Sequence, residues 1–267
     1  MKRSNIINIG IAGLFSLQKG WIYSTLYSII CIFCLLLISK EIDQSHRGIY
    51  DLIADVSGTY GSTNHNMFIF VAIPIIVMMI NQLLDKEERC IVVHKLGSRF
   101  RTWNSHVTAA IILALLFTCF ILIVSFISSG FLVGLQNTWL FDKGTISQIL
   151  HNKAHFKAIV DHLATWKIVL TLFSSKFLGC LMIAFLTLFI KQWIKNGAII
   201  VVFLIVLAGL DEISILPFHF FTRMAVLDIR NWLNPMLTLY HSLYMFIVCL
   251  VLYGVTGMLY ERKDFLK

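Results

Sequence analysis

Charge and proline are scarce in this chain, and each scarcity excludes something. Asp, Glu, Lys and Arg make up 13% of its 267 residues, while hydrophobic residues make up 58%. Soluble domains are about 45–50% apolar, and a mean hydropathy of +0.82 points instead to an integral membrane protein. With only three prolines, long helices are expected to run uninterrupted. The charge balance of +8 has no basic stripe on a soluble domain to go with it, so nucleic acid is not an expected partner.

Several chemical signatures are also missing. The sequence contains no GxxxxGK[ST], no GxSxG and no protein-kinase motif set, so hydrolysis of ATP by a P-loop route is excluded for this chain. An enzyme is not expected, nor a cofactor. His151 and His155 have the i, i+4 spacing of metal ligands, with Asp161 and His162 close by. No HExxH or second ligand pair completes a site, so they read as a solvated helix face. Cys31 and Cys34 form a CxxC within an apolar stretch, without the electropositive setting a reactive thiolate needs. Cys119, Cys180 and Cys249 also fall in apolar stretches, and no cysteine pair lies in an outer loop, so no disulfide framework is expected.

What the chain does have is a series of apolar runs long enough to cross a bilayer. Six spans can be drawn: Trp21 to Ser39, Met67 to Leu84, Val107 to Leu132, Trp166 to Ile190, Ala198 to at least Leu210, and Leu239 to Tyr260. The expected fold is all-α, one polytopic transmembrane domain over residues 1–267. The fifth span is ambiguous, because Asp211, Glu212 and Pro217 interrupt its second half. Ahead of the first span, Ile6, Ile7, Ile11, Leu14 and Phe15 could form the buried face of an interfacial helix, or a frayed leader. Asn8, Gly10 and Gly13 break this stretch, and no small-residue cleavage site follows the first span, so a cleavable signal peptide is not expected.

Lys and Arg are unevenly divided between the two sides. Thirteen fall on the N-terminus, the loop between spans two and three, the Lys191–Asn196 turn and the C-terminal tail, and seven on the other side. The positive-inside rule therefore places both termini in the cytoplasm of a cell carrying the protein in its plasma membrane. On the outer side, residues 40–66 read as a flexible polar loop. Residues 137–165 read as an amphipathic helix opened by a Thr145/Gln148 capping box.

Two polar features stand out against this background. Lys176 lies ten residues into the fourth span, and Asp211 and Glu212 lie deep in the fifth. An ionised lysine at that depth needs a partner or a wet cavity. A Lys176 ion pair with Asp211 or Glu212 is expected, as a structural clamp or as a polar point in a pathway. Thr171, Ser175 and Gly179 make a small-residue stripe beside Lys176, suited to close helix packing.

The second feature is a charged island, Asp85 to Arg101, in which eight of seventeen residues carry charge. The spacing predicts a helix reaching Leu96, Gly97 as its stop, and Ser98 as the cap of the next helix. Val92, Val93, Leu96 and Phe100 give this segment an apolar face. Seventeen residues of mixed sign are more than a turn requires.

With its acidic start at Glu87-Glu88, its exit at Gly97-Ser98-Arg99 and Trp103 just beyond, the chain resembles the membrane subunits of ABC-type-2 exporters, most closely the small permeases of Gram-positive peptide-efflux and bacteriocin-immunity systems. Arg89-Cys90 stands where that family often has Gly-Thr. The resemblance implies six spans, an N-terminal interfacial helix and a cytoplasmic coupling helix built here from Glu87, Glu88, Arg89, Val92, Lys95, Leu96, Gly97, Ser98 and Arg99. It further implies a separate ABC ATPase subunit as partner, a second permease copy or paralogue, and peptides or amphiphiles as cargo. A non-transporting immunity or sensor protein that binds its target in the membrane is the alternative from a different class.

Overall fold

The computed structural model describes residues 11–42, 48–54, 61–87, 98–142, 144–150, 156–157, 159–213, 218–228 and 234–262. Among these residues every regular element is helical. Helix α1 is Gln18–Ile42 and the short α2 is Ile49–Ile53. Helix α3 starts as His65–Met67, passes through a π segment at Phe68–Ala72 and continues as Ile73–Glu87. Helix α4 is Arg99–Val133, α5 is Thr145–Leu150, α6 is Thr165–Ile190, α7 is Gly197–Glu212 and α8 is Pro235–Arg262. Short 3-10 turns lie at Thr138–Leu140, Val160–Leu163 and Thr222–Ala225.

Five helices (α1, α3, α4, α6 and α8) are long and apolar enough to cross a membrane. These correspond to spans one to four and six of the sequence. The fifth is a helix as well, but its 16 residues extend only about 24 Å, short of the roughly 30 Å of hydrocarbon. Helix α6 sits at the centre and packs on α4, α8 and α3, while α1 leans on α4. Helix α7 lies mainly against α3 and only slightly against α6, although a short turn joins α6 to α7.

Each boundary has a local cause. The Ser98 hydroxyl accepts from the Arg101 N–H at 3.2 Å and caps α4, as the sequence leads one to expect. Helix α4 ends at Gly134, whose φ of +83° suits only a residue without a Cβ. Asn196 Oδ1 accepts from Ala198 N to open α7, and Asn234 Oδ1 accepts from Met236 N and Leu237 N to open α8. Pro235 takes the first position of α8, where its missing N–H costs nothing.

Helix α3 runs uninterrupted through Pro74, as expected, and changes only locally to a π segment. Pro74 has no N–H to offer the Phe70 carbonyl, and the π segment lies immediately before it. The Tyr27 hydroxyl of α1 donates to that carbonyl at 2.7 Å.

The loop expected to be flexible is packed where it is described. All five residues of α2 are buried; Leu52 faces the main core, while Ile49, Tyr50 and Ile53 join a second apolar cluster at the far end of the bundle from the island, with Trp139, Ile146, Phe156, Ile159 and Leu163. Asp51 is the polar pin. Its carboxylate accepts from Gly48 N at 2.8 Å, Thr145 Oγ1 at 2.9 Å, Thr138 Oγ1 at 3.4 Å and the Trp139 indole N–H. Burial pushes the Asp51 carboxyl above its ordinary value, and the four donors act against that rise. Thr145 is therefore the first residue of α5, with its hydroxyl given to Asp51. The amphipathic stretch expected to lead into α6 reaches it through a 3-10 turn, with Ile159 and Leu163 buried. His151 and His155, and the side chains of Asp161 and His162, lie outside the described residues.

The N-terminal leader is helical over residues 11–15. Leu14 is buried there against the bundle, Ile11 is half-buried and Phe15 is exposed on the protein surface, while Ile6 and Ile7 of the expected face lie outside the described residues. The Trp21 indole N–H donates to the Leu14 carbonyl and fixes the leader to α1. Cys31, Cys34, Cys119, Cys180 and Cys249 are free thiols.

Candidate functional site

Two places merit description: the polar cluster within the bundle and the two helix ends that carry the island.

The cluster is built around a backbone segment, residues 218–228, that folds back after α7. Lys176 is fully buried in the middle of α6, and its ammonium donates to the Ala225 carbonyl at 2.8 Å. It also lies 5.5 Å from the centre of the Phe68 ring. Asp211 is buried too. Its Oδ1 accepts from Phe220 N at 2.9 Å, and its Oδ2 accepts from Phe221 N at 3.1 Å and Arg223 N at 2.8 Å. Glu212 pairs with Arg223, Nε to Oε2, at 3.0 Å, and lies 3.6 Å from His65 Nδ1. The Thr222 hydroxyl is 3.2 Å from the same His65 nitrogen.

The expected Lys176 ion pair with Asp211 or Glu212 is therefore replaced by another arrangement. Helix α7 does not lie flush against α6, because the 3-10 turn Thr222–Ala225 packs on α6, α7 and α8. Lysine and aspartate grip opposite polar groups of the same inserted segment. A non-helical backbone can lie at membrane depth only where its N–H and C=O groups find partners. Here Asp211 takes three N–H groups, Lys176 takes one carbonyl, and the Tyr244 hydroxyl donates to the Phe220 carbonyl at 3.1 Å. Gly179, from the small-residue stripe, permits the close approach. A Cβ there would come within 2.6 Å of the Ala225 Cβ and 2.9 Å of the Phe68 ring.

At the island, Glu88, Arg89, Val92, Lys95, Leu96 and Gly97 lie outside the described residues, as does the side chain of Glu87. Its two flanks are described. On the entry side, Asp85 pairs with Lys191 of the α6–α7 turn at 3.2 Å, and Lys191 also donates to the Lys195 carbonyl at 2.7 Å. On the exit side, Arg99 Nη1 donates to the Glu261 carbonyl at the end of α8 at 2.8 Å. One turn further, Trp103 is buried and stacked on Tyr253 at 6.0 Å, with Tyr260 at 5.8 Å. Gly257 makes room for it, since a Cβ there would lie 2.9 Å from the indole nitrogen. The Tyr253 hydroxyl donates to Asn104 Oδ1 at 3.1 Å.

Sequence reasoning missed His65, Arg223 and the backbone of residues 220–225 as members of the polar cluster, and Lys191 and Glu261 as anchors of the island. Arg223 offered a signal: a lone arginine eleven residues after Glu212 in an apolar stretch asks for an acid. The backbone partners offered none. No group of three or more metal-ligating side chains occurs among the described residues.

Compared with protein-family models, with characterised proteins and with solved structures, the chain matches none of them.

Proposed function

We propose that this chain is the membrane-spanning permease subunit of an ATP-driven exporter of the ABC-type-2 kind, moving a peptide or amphiphile across the plasma membrane. A separate ATPase subunit supplies the energy, and a second permease copy or paralogue completes the path. Both termini and the island face the cytoplasm, and α7 with its returning segment counts as the fifth membrane element.

The observation that carries this reading is how the two ends of the island are held. Helix α4 has 35 residues, about 52 Å, so it extends well beyond roughly 30 Å of hydrocarbon. Its first turns are rigidly packed on α8 through Arg99 and Trp103, and the helix before the island is tied to the α6–α7 turn through Asp85 and Lys191. A displacement of the island would thus reach α3, α4, α7 and α8 together, as a coupling segment driven by ATPase closure requires. The polar clamp on residues 218–228 supports the same reading, because it holds an irregular segment across part of the bundle where a path would need closing.

Capture of the tagged chain from native membranes tests the proposal. An ATPase with Walker motifs should co-purify in stoichiometric amount; a complex that binds a ligand and contains no ATPase would favour the immunity or sensor alternative.

A further inference from the structure

The island end of the bundle also carries a cavity that the transport reading does not use. It measures about 530 Å³ and lies where the leader meets α1 and the last turns of α3. Its polar lining comprises Ser16, Gln18, Lys19, Gln82, Asp85 and Lys86. Lys86 donates to the Ser16 carbonyl at 3.3 Å, which holds its ammonium at the rim. The one acid of the lining, Asp85, is paired with Lys191 at 3.2 Å. The two ammonium groups of Lys19 and Lys86 thus give the cavity a positive balance, with the amides of Gln18 and Gln82 as further donors.

Lys19 also stands at the foot of an exposed apolar stripe. Ile22, Tyr23, Leu26, Ile30 and Phe33 follow it at helical spacing on α1, and all are exposed large hydrophobics. A site with cationic donors at the membrane–water boundary and a continuous apolar wall leading into the hydrocarbon matches one class of ligand. We propose that the cavity seats the phosphate of an anionic glycerophospholipid from the island-side leaflet, with its acyl chains along this face of α1. The lipid would bridge the leader, α1 and α3. This inference holds whether or not the chain transports anything.

Native mass spectrometry of the detergent-purified chain tests it, with phosphatidylglycerol and phosphatidylcholine as the two probes. The wild type should retain phosphatidylglycerol in preference to phosphatidylcholine. Lys19→Gln with Lys86→Gln should weaken phosphatidylglycerol binding about thirty-fold, to the level of phosphatidylcholine. Because Lys86 also bonds Ser16, Lys19→Gln alone is the second variant and should lose part of the preference with the fold undisturbed. Replacing both lysines by Arg should keep it. Lys195→Gln, which removes an exposed lysine at the same end of the bundle outside the cavity, should have no effect. An unchanged preference in the double Gln variant, or an equal loss in Lys195→Gln, would overturn the site. Binding of inorganic phosphate to the delipidated protein with no preference between the two lipids would assign the cavity to a soluble anion and overturn the lipid reading.

Discussion

Replacing Asp211 with Asn is the sharpest test of the polar clamp. The substitution keeps size and shape but turns one acceptor oxygen into a donor. Asp211 accepts Phe220 N on Oδ1, and Phe221 N and Arg223 N on Oδ2. An asparagine oriented to keep the last two points its NH2 at the Phe220 N–H, so at least one buried donor loses its partner. Hydrogen bonds to a charged group are worth about 1.5–3 kcal/mol each, and the two that survive are no longer charge-assisted. The expected destabilisation is therefore about 2–4 kcal/mol, measured by unfolding in detergent with a native-membrane activity check. Lys176→Met should behave differently. It leaves the Ala225 carbonyl without its donor, at about 1–3 kcal/mol, but it also removes an ammonium whose burial is itself unfavourable, so its net effect should be the smaller of the two. The double variant should be no more stable than Asp211→Asn alone, because no ion pair links the two residues. Recovery of stability in the double variant would mean that lysine and aspartate do neutralise each other, and would refute the clamp as described.

Tyr27→Phe should cost about 1 kcal/mol by removing the donor to the Phe70 carbonyl; in a Pro74→Ala background, where a backbone N–H is restored, most of that cost should vanish in the same unfolding assay. Asp51 gives a pH signature at the far end. Its folded carboxyl titrates above the ordinary value, so the folded state binds more protons than the unfolded one, and stability falls as pH rises from the ordinary carboxylate value through the raised one. Trp139 fluorescence followed against pH should report that trend, and Asp51→Asn should flatten it. Orientation is checked by a membrane-impermeant thiol reagent on intact cells, which should leave Cys90 unlabelled and label a cysteine placed at Ser147; labelling of Cys90 from outside would reverse the topology.

The long elements were legible because hydropathy along a helix is a one-dimensional signal. Even the weak point was marked, since Asp211 and Glu212 stand where the short α7 ends. The partners of those acids were not legible. Charge pattern suggests that a lysine and an aspartate at similar depth should meet, but it cannot foresee a backbone turn lying between them and offering N–H groups to one and a carbonyl to the other. Asp51 was missed for a related reason. Within Ile49-Tyr50-Asp51-Leu52-Ile53 a lone acid gives no hint that its donors Trp139 and Thr145 lie some ninety residues on. Ser98 was legible because capping is local, with donor and acceptor three residues apart.

The coupling role of the island is the central claim, and charge reversal tests it most directly. Glu87→Lys with Glu88→Lys should leave the chain inserted and folded, because the reversal falls in the charged loop between two spans and leaves their apolar runs intact. The same reversal set against a partner surface is costly. Reconstituted with the ATPase captured alongside it, the wild type should stimulate ATP hydrolysis and the double variant should not. Normal stimulation and transport by a correctly inserted double variant would contradict the account.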